Sequence, residues 1–161
     1  MRFVIGNYTA NTTTALNTPG GAPQLPTGNC NYGPNANYIS ELFNLINAAR
    51  ANAGLPAYIL DPEISAFSQL HSEDMAYNSF LSHDGSQQTF SQRRASGLPG
   101  NPNRHVYAEI IAIGTPQNAM EQWSRDEHWD FVMSLSTYIG IGYAYNSCSD
   151  FGGYFTVNFD G

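Results

Sequence analysis

The feature that most constrains the fold lies at the end of the chain. "YIGIGYAYN" (138–146) and "GGYFTVNF" (152–159) are β-rich runs joined by the short polar link "SCSDF". Two such runs at that spacing predict an antiparallel hairpin. Upstream, "HVYAEIIAIG" alternates and supplies a third strand over Val106–Ile113. The other patterned segments read as helices, and a three-stranded antiparallel sheet covered by helices on both faces is the natural packing. The fold class expected is therefore α+β.

The helices carry their own start and stop signals. In "NYISELFNLINAARANAG", Ile39, Leu42, Phe43, Ile46 and Ala49 recur at helical spacing. Asn37 or Ser40 can cap this helix, and Gly54 and Pro56 stop it. The second opens at Asp61-Pro62-Glu63, a cap followed by proline at the first helical position. It carries Ile64, Phe67, Leu70, His71 and Met75 and ends near Asn78. "FLSHDGSQQ" is loop, "TFSQRRASG" a short helix closed by Gly97, and "LPGNPN" loop again. Thr115-Pro116 starts a helix running through Ala119, Met120 and Trp123.

At 161 residues the chain is one domain's worth. Residues 1–37 are dense in Pro, Gly and Asn and predict an extended N-terminal arm; the domain proper is expected over 38–161. There is no lysine, and six arginines face thirteen acids for a net charge of −7. That balance cannot build the cationic face a nucleic-acid partner needs, and it disfavours an anionic membrane surface. No apolar run is long enough for a membrane span, and the apolar part of "MRFVIGNYTANTTT" is too short for a secretory signal.

Charged residues are only 12%, so Asn, Ser, Thr, Gly and Tyr must cover much of the surface. Such a surface suits an extracellular protein, a glycoprotein, or a subunit partly buried in an assembly. Asn7 and Asn11 each begin an N-glycosylation sequon. Cys30 and Cys148 both lie in polar, loop-like contexts, which points to one disulfide in an oxidising compartment; the alternative is two unrelated thiols.

The candidate chemistry centres on Glu109, on the strand face expected to hold Tyr107 and Ile111 as well. A carboxylate on a half-buried strand is unfavourable without a partner. His83, in the "FLSHDG" loop, and His128, after the Trp123 helix, could supply one. Two histidines and a carboxylate match a metal site with open positions (Zn, or Ca/Mg in a more oxygen-rich version). The alternative is a histidine pair that satisfies the glutamate by hydrogen bonds. His71 is expected in the core, and His105 in solvent. For hydrolysis, Ser82 and Ser86 flank His83 without a G-x-S-x-G elbow. Glu109 and Asp126 are the only carboxylate pair to nominate for glycosidase chemistry. Enzyme activity is not the expected function.

"HSEDMAYNSFLSHDG", "YAEIIAIG", "AMEQWSRDEHW" and "IGIGYAYNS…YFTVNF" occur in the order, and at roughly the spacing, of the CAP superfamily. That family includes the cysteine-rich secretory proteins, antigen 5 and the plant pathogenesis-related proteins. The chain resembles its short microbial branch over about residues 38–160, with Asn47–Arg50 and Gly54-Leu55 matching the first helix. The resemblance implies a three-layer α-β-α sandwich with a groove lined by histidines and acids. His83 falls on the first groove histidine, Glu109 on the glutamate of "GEN" and His128 on the histidine of "GH". Asp126, three residues after Trp123, stands for the family's further acid, with Glu127 as rival. Two neighbours depart from the pattern: Ile110 replaces the asparagine of "GEN", and Glu127 the glycine before His128.

The resemblance further implies a secreted, non-enzymatic protein that needs no cofactor. It would hold a small ligand in that groove, either a lipid or sterol or a divalent metal on His83, Glu109 and His128. The second hypothesis is a structural subunit of an extracellular assembly. There, residues 1–37 would make contacts to another extracellular protein or build a homo-oligomer, with the apolar "MRFVI" docking on a neighbour.

Overall fold

The computed structural model describes residues 29–161. The strands are β1 (Tyr32–Gly33), β2 (Ile59–Leu60), β3 (Val106–Ile113), β4 (Tyr138–Asn146) and β5 (Gly153–Asp160). The helices are α1 (Ala36–Asn52), α2 (Pro62–Asn78), α3 (Phe90–Ala95), α4 (Pro116–Trp123) and α5 (His128–Val132). The sheet runs β1-β4-β5-β3, with β2 added in parallel on β4. Among the described residues it therefore has five strands where three were expected. The two extra strands are two residues each, too short to show any periodicity.

The arrangement is a three-layer sandwich. On one face Leu42 and Ile46 of α1, Ala119 and Trp123 of α4 and Val132 of α5 pack on Ile110, Ile141, Phe155 and Val157 of the sheet. On the other face α2 lies along β4 and β5. The alternation in "YIGIGYAYN" explains how it fits. Ile139, Ile141 and Tyr143 join the α1 core, while Gly140 and Gly142 turn towards α2. A Cβ on Gly140 would sit 2.1 Å from the backbone of Ile64, and one on Gly142 2.4 Å from Gln69 N. Glycine at both places lets the helix axis come down onto the strand.

Caps fall close to their sequence signals. Asp61 accepts from the backbone N–H groups of Glu63 and Ile64, with Pro62 following it. Thr89 with Gln92, and Thr115 with Asn118, form capping boxes. For α1 the cap is Asn35, which accepts from Tyr38 N at 3.1 Å, and neither Asn37 nor Ser40.

The residues just before α1 are tied to the sheet. Cys30 is disulfide-bonded to Cys148 with Cα atoms 5.5 Å apart. Tyr32 and Gly33 pair with Asn146 and Tyr145 of β4. Residues 30–37 thus belong to the fold, although their composition resembles the arm. The arm's remaining features, Asn7, Asn11 and "MRFVI", lie outside the described residues. No helix among those described is long and apolar enough to cross a membrane.

Candidate functional site

Glu109 projects from the middle of β3 towards α2, with a side chain fully removed from solvent. A β-bulge between Val106 and Ala108 sets what shares its face. The bulge turns Tyr107 to the opposite side, where its ring lies 6.3 Å from Phe131. Tyr107 therefore does not share a face with Glu109, whereas Ile111 packs on the α2 side.

His83 contacts Glu109, with Nδ1 at 3.1 Å from Oε1. The dominant partner is Arg93 of α3. Its Nη2 donates to Oε1 at 2.9 Å and its Nη1 to Oε2 at 3.1 Å, a two-pronged ion pair. Nη2 also donates to His83 O at 2.6 Å, which ties the "FLSHDG" loop to the helix that follows it. Asn158 of β5 donates from Nδ2 to Oε2 at 3.1 Å. Asn158 is held in turn by Ser68 Oγ at 2.9 Å. His71 of α2 donates from Nε2 to Ser82 O at 2.7 Å and stands 3.7 Å from Oε1.

These contacts account for the acidity of the site. Burial pushes the Glu109 carboxyl up, but hydrogen bonds from His83 and Arg93, with the nearby His71 and Arg93 charges, outweigh it and hold it at about 2. His71 moves the other way: burial pushes it below its ordinary value against the pull of Glu109. A carboxylate has about four lone-pair sites. Here His83, both prongs of Arg93 and Asn158 take them all.

The remaining predicted residues do not join the cluster. His128 opens α5, and its Nδ1 pairs with Asp126, whose Oδ1 also accepts His128 N–H at 2.9 Å. No hydrogen bond or ion pair links either residue to His83 or Glu109 among those described. In the same set, no three His, Cys, Asp or Glu side chains are placed to hold a metal ion. The residues around Glu109 do not fit a divalent cation, because the guanidinium already supplies the positive charge and uses the oxygens. Nor does the site hold an activated nucleophile: Ser82 Oγ accepts from Asp84 N, and no bond joins it to His83. His105, expected in solvent, is exposed but bonds Arg94 O through Nδ1 at 2.8 Å.

Arg93, Asn158 and Ser68 went unnoticed in the sequence. Only Arg93 carried a usable signal, since a buried acid on a strand demands a cation and few arginines are available.

A second feature lies at the edge of β4. Among the described residues, this edge has no strand neighbour between β1 and β2, and α2 side chains take that role. Ile141 N donates to Ser65 Oγ at 3.3 Å. Gln69 accepts from Tyr143 N and donates to Tyr143 O, both at 2.9 Å. Outside this seam lies a mainly apolar cleft of about 340 Å³. Pro34, Ile39, Leu60, Ala66 and Ile141 are among its walls, with Glu73 at one side. His83, Glu109, Asp126 and His128 do not line it.

A disulfide-closed α-β-α sandwich with a buried Glu-His-Arg cluster under a loop defines the class of protein. The model of the cysteine-rich secretory protein family, CAP, matches residues 43–159, and the chain belongs to that family. An SCP-domain-containing extracellular protein of Bacillus anthracis is similar in structure, with 25% identity and a TM-score of 0.62. That match covers 77% of this chain and 40% of the other, so the chain spans well under two thirds of that relative. An outer surface protein of Borrelia burgdorferi shares the fold at 17% identity and a TM-score of 0.66, covering 78% of this chain and 92% of its own. No curated protein matches the chain.

Proposed function

We propose that this is a secreted, non-enzymatic CAP domain that binds a small apolar molecule in the cleft beside β4. The observation that carries the reading is the cleft itself. Its volume, about 340 Å³, falls in the range of small-molecule sites, and its walls are apolar with a few polar groups at one side. The polar cluster at Glu109 offers less: its acceptors are saturated, and it holds three segments of chain together. Secretion is supported by the Cys30–Cys148 bridge and by the extracellular and outer-surface neighbours.

The test is native mass spectrometry of the protein incubated with dodecanol, a neutral apolar chain. One bound molecule per protein is expected. Ala66→Trp, which fills the cleft from α2, should abolish the adduct while leaving circular dichroism unchanged. Absence of any adduct on the unsubstituted protein would overturn the reading.

A further inference from the structure

We propose that the β4-edge cleft selects an amphiphile with a primary ammonium head group, which Glu73 binds while Ile39, Leu60 and Ile141 cover the alkyl tail. This rests on the cleft being the ligand site and adds the chemistry of the head group.

The argument starts from the polar groups of the cleft and what each already does. Ser65, Ala66, Gln69 and Glu73 project from one face of α2 at spacings of three and four residues. Ser65 and Gln69 serve the backbone of β4 at Ile141 and Tyr143. Glu73 has no such duty. Its Oε1 accepts from Gln69 Nε2 at 3.1 Å. Its Oε2 has no hydrogen-bond partner among the described residues, yet it is not sealed from solvent. It is the acceptor that the cleft leaves available.

Among the described residues no arginine pairs with it. Arg50 is turned inward onto the carbonyls of Pro56, Val132 and Ser134. Arg93 is held by Glu109, Arg104 by Asp61 and Glu63, and Arg125 by Glu121. Arg94 makes no ion pair with Glu73. A carboxylate flanked by apolar walls with one amide donor is poorly solvated, and burial accordingly pushes its pKa up. An ammonium would restore both charge and hydrogen bonding through a charge-assisted contact. A carboxylate-headed chain would instead set two like charges together in the same low-dielectric cleft. The predicted preference is therefore amine first, neutral alcohol next, fatty acid last.

The test measures binding of dodecylamine, dodecanol and dodecanoate, all below micelle formation, by isothermal titration calorimetry at neutral pH. The amine should bind about tenfold or more tighter than the alcohol, the scale expected for one charge-assisted hydrogen bond. Glu73→Gln should bring the amine-to-alcohol ratio down towards one. Glu121→Gln makes the same charge change outside the cleft and should keep the ratio, which separates a local contact from general attraction to an acidic protein. Glu73→Ala repeats the test should the glutamine variant fail to fold. An unchanged ratio in the Glu73 variants, or equal affinity for amine and alcohol on the unsubstituted protein, overturns the head-group assignment and leaves the cleft reading standing. Failure of all three chains to bind, or binding that Ala66→Trp does not reduce, overturns both.

Discussion

Glu109 is a buried carboxylate and Glu73 a half-buried one, and the protein treats them in opposite ways. Glu109 sits on the central sheet and receives Arg93, His83 and Asn158, which hold it ionised down to about pH 2. Glu73 sits on α2 at the wall of a cleft, receives one amide, and is pushed towards the neutral form. The contrast teaches where binding capacity resides. A carboxylate whose acceptors are all taken inside the fold stabilises the fold. One that retains an open acceptor can meet a ligand.

The largest effect should come from breaking the satisfied site. Glu109→Gln leaves the Arg93 guanidinium, itself mostly buried between the rings of Phe67 and Phe90, without its counter-charge. Loss of one member of a buried pair is expected to cost about 3–5 kcal/mol. Urea unfolding monitored by tryptophan fluorescence checks this, and a loss below about 1 kcal/mol would place the cluster among ordinary surface pairs.

The acid limb of the stability curve comes next. The lowered pKa of His71 means that the unfolded chain takes up its proton first. Stability should therefore begin to fall as pH drops through the ordinary histidine value near 6.5. Glu109, lowered from 4.5, adds a second loss between about pH 4.5 and 2. Urea midpoints at successive pH values should show both limbs. Glu109→Gln should remove the lower one, and a curve flat between pH 7 and 3 would contradict both assignments.

Metal binding sharpens the comparison further. The unsubstituted protein should take up no stoichiometric zinc, and His83→Ala with His128→Ala should leave metal content as it was. Zinc lost in that double variant, measured by inductively coupled plasma mass spectrometry, would show that Arg93 yields the site to a cation.

The smallest effect has the opposite sign. Because Glu73 is raised, it stabilises the fold at low pH, and that contribution is lost as pH rises through its ordinary value near 4.5 to its higher folded value. Glu73→Gln should thus raise the unfolding free energy at neutral pH slightly, by no more than about 1 kcal/mol, with the gain shrinking towards pH 4. A loss of stability at neutral pH would mean that the carboxylate has a partner it needs.

Much of the fold was legible because its signals are local. Asp61-Pro62 and Thr115-Pro116 mark their helices by cap chemistry, and the β-rich runs at 138–146 and 152–159 mark a hairpin whatever surrounds them. The pairing of His83 with Glu109 could be expected because a strand carboxylate must be answered by something. Which donors answer it could not. Arg93 is 16 residues away from Glu109, and Asn158 is 49 away across the sheet. Their meeting depends on how α3 and β5 dock, and no periodicity encodes that. The bulge that separates Tyr107 from Glu109 is likewise a property of the β3–β5 register.

The sequence by itself determined the alternation of small and large residues on β4, the caps of α2 and α4, the acidic charge balance and the cysteines able to close the domain. Each of these acts over a few residues or through composition alone. Only the tertiary structure decided that Glu109 is neutralised by an arginine, that His128 turns aside to Asp126, and that α2 seals the edge of β4 beside an apolar cleft. Those outcomes arise from side chains far apart in the chain competing for the same few acceptors, and the packing of the layers settles that competition.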